Sequence, residues 1–194
     1  MHKYYDRKFN KDSISIAPGE FYVSEKDIII QTVLGSCISV CLFSDFSPYS
    51  GMNHFMLPGN LCRSDIANCG SGRYGMYAME LLINSLMKLG VKKNALKAKV
   101  FGGGNVLDMK NVKKTVGENN VAFINSFLEK ENIPIISSHI GGDYARKIFF
   151  FVESKKVLLK KIDKSKAFQT IKEESDYEKA LIEEDKKKTN IILF

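Results

Sequence analysis

The chain has 194 residues, 44% of them hydrophobic, and a formal net charge of +7. That length supports one domain with a real core, and no apolar run approaches the length of a membrane span. The basic residues fall in scattered pairs such as Lys92-Lys93, Lys113-Lys114 and Lys160-Lys161, without a basic helical stripe or an aromatic RNA-binding signature, which argues against nucleic acid and for an acidic protein partner.

The N-terminus, Met1-His2-Lys3-Tyr4-Tyr5-Asp6, lacks the apolar core of a signal peptide, so a cytoplasmic protein is expected. Residues 1–12 are polar and charged and read as a loose arm. Ile14 and Ile16 begin ordered structure, Pro18-Gly19 turns the chain, and Phe21-Tyr22-Val23 suits a short strand. Ile28, Ile29 and Ile30 make a buried strand of residues 27–33. Gly35-Ser36 breaks that strand, and Cys37 stands at the exit of the turn. Ile38, Val40 and Leu42 then alternate with Ser39, Cys41 and Phe43, a second strand. A third, residues 51–57, carries His54 and stops at Pro58-Gly59.

Residues 59–72 are rich in Gly, Asn and Ser and form a loop, either a cover for a cleft beside His54 or a plain exposed connection. Residues 73–89 place Tyr74, Tyr77, Ala78, Leu81, Leu82, Ser85 and Leu89 on one helical face, with Ser71 as a cap and Gly90 at the end. A strand follows at 97–101, then Gly102-Gly103-Gly104. A phosphate loop needs Gly-Lys-Ser/Thr at that point, and Asn105-Val106-Leu107 stands there instead, so no nucleotide cofactor is expected and the glycines mark a close backbone crossing. A second helix is expected at 118–131, a strand at 134–137, a turn at Gly141-Gly142, and a hairpin of 147–152 with 157–161. Helices between groups of strands make a mixed α/β domain. From Asp163 the composition changes: 163–194 is a charged C-terminal extension with an interrupted helical stripe of Phe168, Ile171, Tyr177 and Leu181, ending in apolar Ile191-Ile192-Leu193-Phe194. A solvated helix, a partner-docking segment and a brace on the body all fit it. It is expected to lie outside the catalytic core, so that a chain cut after about residue 163 stays folded and keeps some activity.

The chemistry-bearing residues gather in the first half. A thiol needs a nearby base or positive charge to become a thiolate near neutral pH. Cys37 on a tight turn and His54 on a neighbouring strand supply such a pair, and turn N–H groups can point at whatever binds the sulfur. The competing reading is a buried cysteine that only packs, which suits Cys41. Cys62 and Cys69 lie in the 59–72 loop without zinc-ribbon spacing, and the chain has 3 histidines, so no metal is expected.

Leu34-Gly35-Ser36-Cys37, Asn53-His54-Phe55-Met56-Leu57-Pro58, Arg73-Tyr74-Gly75, Ala78-Met79-Glu80, Ala98-Lys99-Val100-Phe101-Gly102-Gly103, Gly117-Glu118-Asn119-Asn120 and Gly141-Gly142 followed by Arg146 resemble, in order, the CheD family of chemoreceptor glutamine deamidases. The resemblance covers about residues 13–162 and implies a three-layer α/β/β sandwich of cysteine-hydrolase type with a mixed sheet. It implies that Cys37 attacks a glutamine amide, that His54 carries the proton to departing ammonia, and that backbone N–H groups at Gly35 and Ser36 hold the oxyanion. It adds a threonine that orients the histidine. Relatives carry it at either of two offsets, which here hold Thr32, five residues before Cys37, and Gln31, six before. These two face opposite sides of the strand, only one can reach His54, and Thr32 is the expected one. His139, where relatives carry an acidic residue, is expected to be a loop histidine rather than the base. The implied partners are chemoreceptor cytoplasmic helices as substrate and a CheC-type phosphatase. The alternatives are a non-catalytic adaptor binding that phosphatase, and a glutamyl methyl-ester hydrolase or transamidase using the same thioester chemistry.

Overall fold

The computed structural model describes residues 1–57, 72–106 and 115–163, and, within the C-terminal segment, residues 172, 174–177, 179–181 and 183. The 59–70 part of the expected loop, Cys62, Cys69, the Ser71 cap, Phe168, Ile171 and the apolar ending lie outside the described residues.

The strand Ile38–Phe43 organises the layers. Every one of its residues is buried, because its two faces meet two different cores. Ile38, Val40 and Leu42 face one way and pack with Met79, Leu82 and Leu86 and with Phe123, Ile124 and Leu128. Cys41 faces the other way and packs with Met52, Phe101, Ile30, Ile148 and Phe150. The alternation read from the sequence is therefore real, but both phases of it are interior.

In chain order the strands are β1 (His2–Asp6), β2 (Lys11–Ser15), β3 (Phe21–Ser24), β4 (Ile29–Leu34), β5 (Ile38–Phe43), β6 (Ser50–Asn53), β7 (Lys97–Gly102), β8 (Ile135–Ile140), β9 (Ala145–Phe151) and β10 (Val157–Ile162), with helices α1 (Gly72–Lys88) and α2 (Val116–Lys130). They form two five-stranded sheets, β1-β2-β4-β9-β10 and β3-β6-β5-β7-β8. Both are mixed: β2 runs parallel to β4 in the first, and β7 parallel to β8 in the second, while the other pairs are antiparallel. The helices pack on the second sheet and the first sheet covers its other face, which gives the expected α/β/β sandwich.

The helix ends follow from local chemistry. Thr115 caps α2 by accepting from Glu118 N–H, and the Glu118 carboxylate accepts from Thr115 N–H, a reciprocal capping box. Past α1, Gly90 takes a φ of 87° while its N–H donates to Met87 O. Gly75 lets α1 approach α2, since a methyl group there would come within 2.5 Å of Phe123.

One expectation is corrected at the N-terminus. Residues 1–12 are not a loose arm: β1 and β2 form a hairpin paired from His2↔Ser15 to Asp6↔Lys11, and β2 joins β4. Phe9, in its turn, makes edge contacts with Phe149 and Phe151. The strand expected at 51–57 is also shorter. It ends at Asn53, and beyond it Phe55 keeps a single bridge to Ile38.

Candidate active site

The Gly35–Cys37 turn links the two sheets, from the end of β4 to the start of β5. It is fixed from behind by the glycine cluster. Gly103 N–H donates to Cys37 O at 2.7 Å, and Gly104 N–H donates to Gly35 O at 2.7 Å. Gly102 holds a φ of 118°, and a Cβ there would meet Cys37 O at 2.0 Å. The cluster is thus a backbone crossing that a side chain would block. On the other side, Asn120 of α2 donates from Nδ2 to Ser36 O at 2.8 Å, and its Oδ1 accepts from Leu57 N–H at 2.8 Å. One buried amide therefore ties the cysteine turn to the segment that carries His54.

His54 is held on both sides of its backbone: its N–H donates to Glu20 O at 2.9 Å, and its carbonyl accepts from Gly19 N–H at 2.7 Å. Asn53 positions it from the strand end. Its Oδ1 accepts from Val40 N–H at 3.0 Å, and its carbonyl accepts from the Ser39 hydroxyl at 2.6 Å. The His54 ring is 2% exposed. Thr32 Oγ1 lies 2.8 Å from His54 Nδ1 and 2.8 Å from Ile16 O. A hydroxyl has one proton, and the carbonyl can only accept it. Thr32 therefore accepts at Nδ1, Nδ1 carries the ring proton, and Nε2 keeps its lone pair. Nε2 is buried without a hydrogen-bond partner. Burial pushes the imidazole pKa down to about 4, with the Glu174 carboxylate pulling the other way.

The rival Gln31 points elsewhere, donating from Nε2 to Ser13 Oγ at 2.9 Å. Cys37 is fully buried. A His54 ring nitrogen, Cys37 Sγ and a carboxylate oxygen of Glu174 all lie within 4.8 Å of one another. Cysteine, histidine and glutamate are a donor set that zinc accepts. In the structure the carboxylate accepts from the turn and Nδ1 faces Thr32, so the cluster brings together a thiol, an imidazole and a hydrogen-bonded carboxylate. Cys41 is buried in the inter-sheet core, where desolvation pushes its thiol pKa up and keeps it inert.

Glu174 is the group that sequence reasoning missed. Its Oε1 accepts from Gly35 N–H at 2.7 Å and Cys37 N–H at 3.3 Å, and its Oε2 accepts from Ser36 N–H and the Ser36 hydroxyl, each at 2.8 Å. The turn N–H groups expected to meet an oxyanion do converge on one anionic group. Their partners are backbone, so no residue pattern announces the pairing. Gly35 leaves the room, because a Cβ would lie 2.8 Å from Glu174 Oε2.

His139 stands apart from this cluster. It lies on β8, not in a loop, opposite Phe101. Arg146 Nη1 is 3.2 Å from its Nδ1 and also donates to its carbonyl, while Arg146 Nη2 donates to Gly141 O. Burial and the neighbouring Arg146 and Lys161 charges push the His139 pKa down. Arg146, fully buried, thus clamps the Gly141-Gly142 turn, whose Gly142 carbonyl accepts from Asn105 N–H just beyond the glycine cluster.

The chain matches the family model described as CheD chemotactic sensory transduction over residues 56–161. It is 45% identical over 184 residues to a protein of Chromobacterium violaceum named probable chemoreceptor glutamine deamidase CheD 2, covering 94% of this chain and 89% of that one. Proteins named probable chemoreceptor glutamine deamidase CheD in Janthinobacterium sp. (45% identical, 90% of this chain and 85% of that one) and CheD 1 in Shewanella oneidensis (43%, 91% and 85%) are similar. Among solved structures, a Neisseria meningitidis protein of family DUF152 aligns with a TM-score of 0.39 at 10% identity, over 67% of this chain and 61% of that one. At this identity and coverage the chain belongs to the CheD family.

Proposed function

We propose that this chain deamidates glutamine side chains of chemoreceptors to glutamate, with Cys37 as nucleophile, His54 as base and Thr32 as the residue that orients His54. The observation that carries the reading is the state of His54: one nitrogen protonated and held by Thr32, the other buried with an unengaged lone pair, and a thiol close by. Curated relatives named as glutamine deamidases support the substrate.

In this mechanism the substrate carboxamide oxygen enters the donors of the Gly35–Cys37 turn. His54 Nε2 takes the Cys37 proton, and Sγ attacks the amide carbon. The turn N–H groups stabilise the oxyanion. His54 returns the proton to the departing nitrogen, and ammonia leaves. Water then gives a proton to Nε2 and its oxygen to the thioester carbon. The C–S bond breaks, and the thiol regains its proton. The reaction adds one negative charge to the receptor at each site. It implies work in the cytoplasm, where receptor signalling helices lie, and the family resemblance adds a CheC-type phosphatase as a second partner.

A receptor cytoplasmic fragment incubated with the protein tests the reading by mass. Each converted glutamine gains about one mass unit, because NH₂ becomes OH, and Cys37→Ala abolishes the gain. A loss of about fourteen mass units from a methylated fragment, without any gain on glutamine, would instead establish ester hydrolysis.

A further inference from the structure

The oxyanion pocket of the site is already filled by this chain's own glutamate. Gly35 N–H, Ser36 N–H, the Ser36 hydroxyl and Cys37 N–H all donate to the Glu174 carboxylate, which is 4% exposed. Each of these donors is a neutral N–H or O–H and both carboxylate oxygens accept, so the turn holds the carboxylate by hydrogen bonds and not by an opposite charge.

The segment that delivers Glu174 is anchored. Residues 174–177 and 179–181 are helical. Tyr177 packs against the inter-sheet core and over Gly19, where a Cβ would lie 2.7 Å from its hydroxyl. Leu181 is buried, and its carbonyl accepts from the Tyr74 hydroxyl of α1 at 3.4 Å. These residues therefore anchor on the Gly19 turn, which adjoins His54, and on α1, while Glu174 reaches the cysteine turn. Glutamate is also what a glutamine becomes when it loses its amide.

We propose that the C-terminal helical segment is a tethered product analogue. Glu174 occupies the subsite of the substrate's γ-carboxyl group, the resting enzyme is closed by it, and the substrate is a glutamine carried on a helix that displaces this one. The inference rests on the deamidase reading and adds its regulation. A glutamine placed at position 174 is a substrate in cis. Its Cδ–Nε2 bond breaks as the Cys37 Sγ–Cδ bond forms, and ammonia leaves with the thiol proton. Water then supplies the oxygen that replaces sulfur and the proton that restores the thiol. The side-chain amide of the E174Q chain plus water becomes the wild-type carboxyl group plus ammonia, with no other reactant.

The experiment uses the full chain. E174Q is purified with Cys37 intact and with Cys37→Ala, and residue 174 is read by peptide mass. In parallel, wild type and Glu174→Ala are compared on a receptor glutamine fragment and in alkylation by iodoacetamide. The expected results are glutamate at position 174 when Cys37 is present and glutamine when it is absent. For Glu174→Ala the expected results are a KM on the order of tenfold lower with kcat little changed, and faster Cys37 alkylation by a similar factor. Glutamine retained at position 174 in a chain that still converts receptor glutamine, with KM and alkylation unmoved in Glu174→Ala, overturns the inference and leaves the deamidase reading standing. No conversion of receptor glutamine by any variant overturns both.

Discussion

Thr32 decides which nitrogen of His54 is basic. Its hydroxyl spends its only proton on Ile16 O, so it can only accept from the ring. Thr32→Val removes the acceptor and keeps the shape. The imidazole can then adopt the tautomer with its proton on Nε2, which cannot take a proton from the thiol. The expected loss is about 10- to 100-fold in kcat with KM little changed, and Thr32→Ser should restore most of it. Gln31→Leu, on the opposite face, should leave kcat near wild type, so equal losses in both variants would contradict the assignment.

Burial of His54 also has a stability consequence with a definite sign. The folded chain holds the ring neutral, with a pKa of about 4. The unfolded chain protonates it near pH 6.5, at the ordinary value, so between these limits the unfolded state binds more protons. The stabilisation is complete above about pH 6.5 and is lost as pH falls through about 4, by on the order of 3 kcal/mol. His54→Gln should lessen the acid decline in Tm over that window. Parallel curves for the two proteins would assign the decline to other groups.

At the scale of elements, the cysteine turn is only as rigid as the segments that cross it. Gly102→Ala forces a methyl group onto Cys37 O at a φ of 118° and should cost about 2–4 kcal/mol, visible in urea unfolding. Asn120→Ala removes both a donor to Ser36 O and an acceptor for Leu57 N–H. It should cost about 1–3 kcal/mol and lower kcat as well, since the turn and the His54 segment lose their common tie. A fall in stability with kcat intact would show that the turn holds its shape without α2.

The same elements show what was legible in the sequence. β5 was readable because apolar residues alternate after the Gly35-Ser36 break, and β7 because its run ends at Gly102-Gly103-Gly104. α1 and α2 were readable as helices from their apolar spacing, but the expected α1 face is corrected: Tyr77 and Leu89 are exposed, and Met79, Leu82, Ile83 and Leu86 form the buried face. The Cys37–His54 pair was readable from its motifs. β1 was not: it is an edge strand with residues largely open to water on both faces, so no apolar alternation marks it. His139 looked like a loop residue because β8 is solvent-facing over most of its length and carries serines. Glu174 was hidden for a different reason. It lies in a charged run, its partners are backbone N–H groups, and only Tyr177 and Leu181, its anchors, left a trace as part of an interrupted stripe.

Across the whole molecule, the site sits where the chain passes from one sheet to the other, and the first and second halves of the fold meet behind it. β9 of the first sheet pairs with β4, which leads into the cysteine turn, and β7 of the second pairs with β5, which leads out. Among the described residues, no helix is long and apolar enough to cross a membrane. In the proposed reaction Cys37, served by His54, exchanges a glutamine amide for water through a thioester. It is tested most directly by running the reaction on a receptor fragment in ¹⁸O-labelled water and weighing the product. Thioester hydrolysis gives a gain of about three mass units at each converted glutamine, one labelled oxygen replacing one NH₂, and no gain with Cys37→Ala. An unchanged fragment mass with the intact chain, or the same gain from Cys37→Ala, would contradict it.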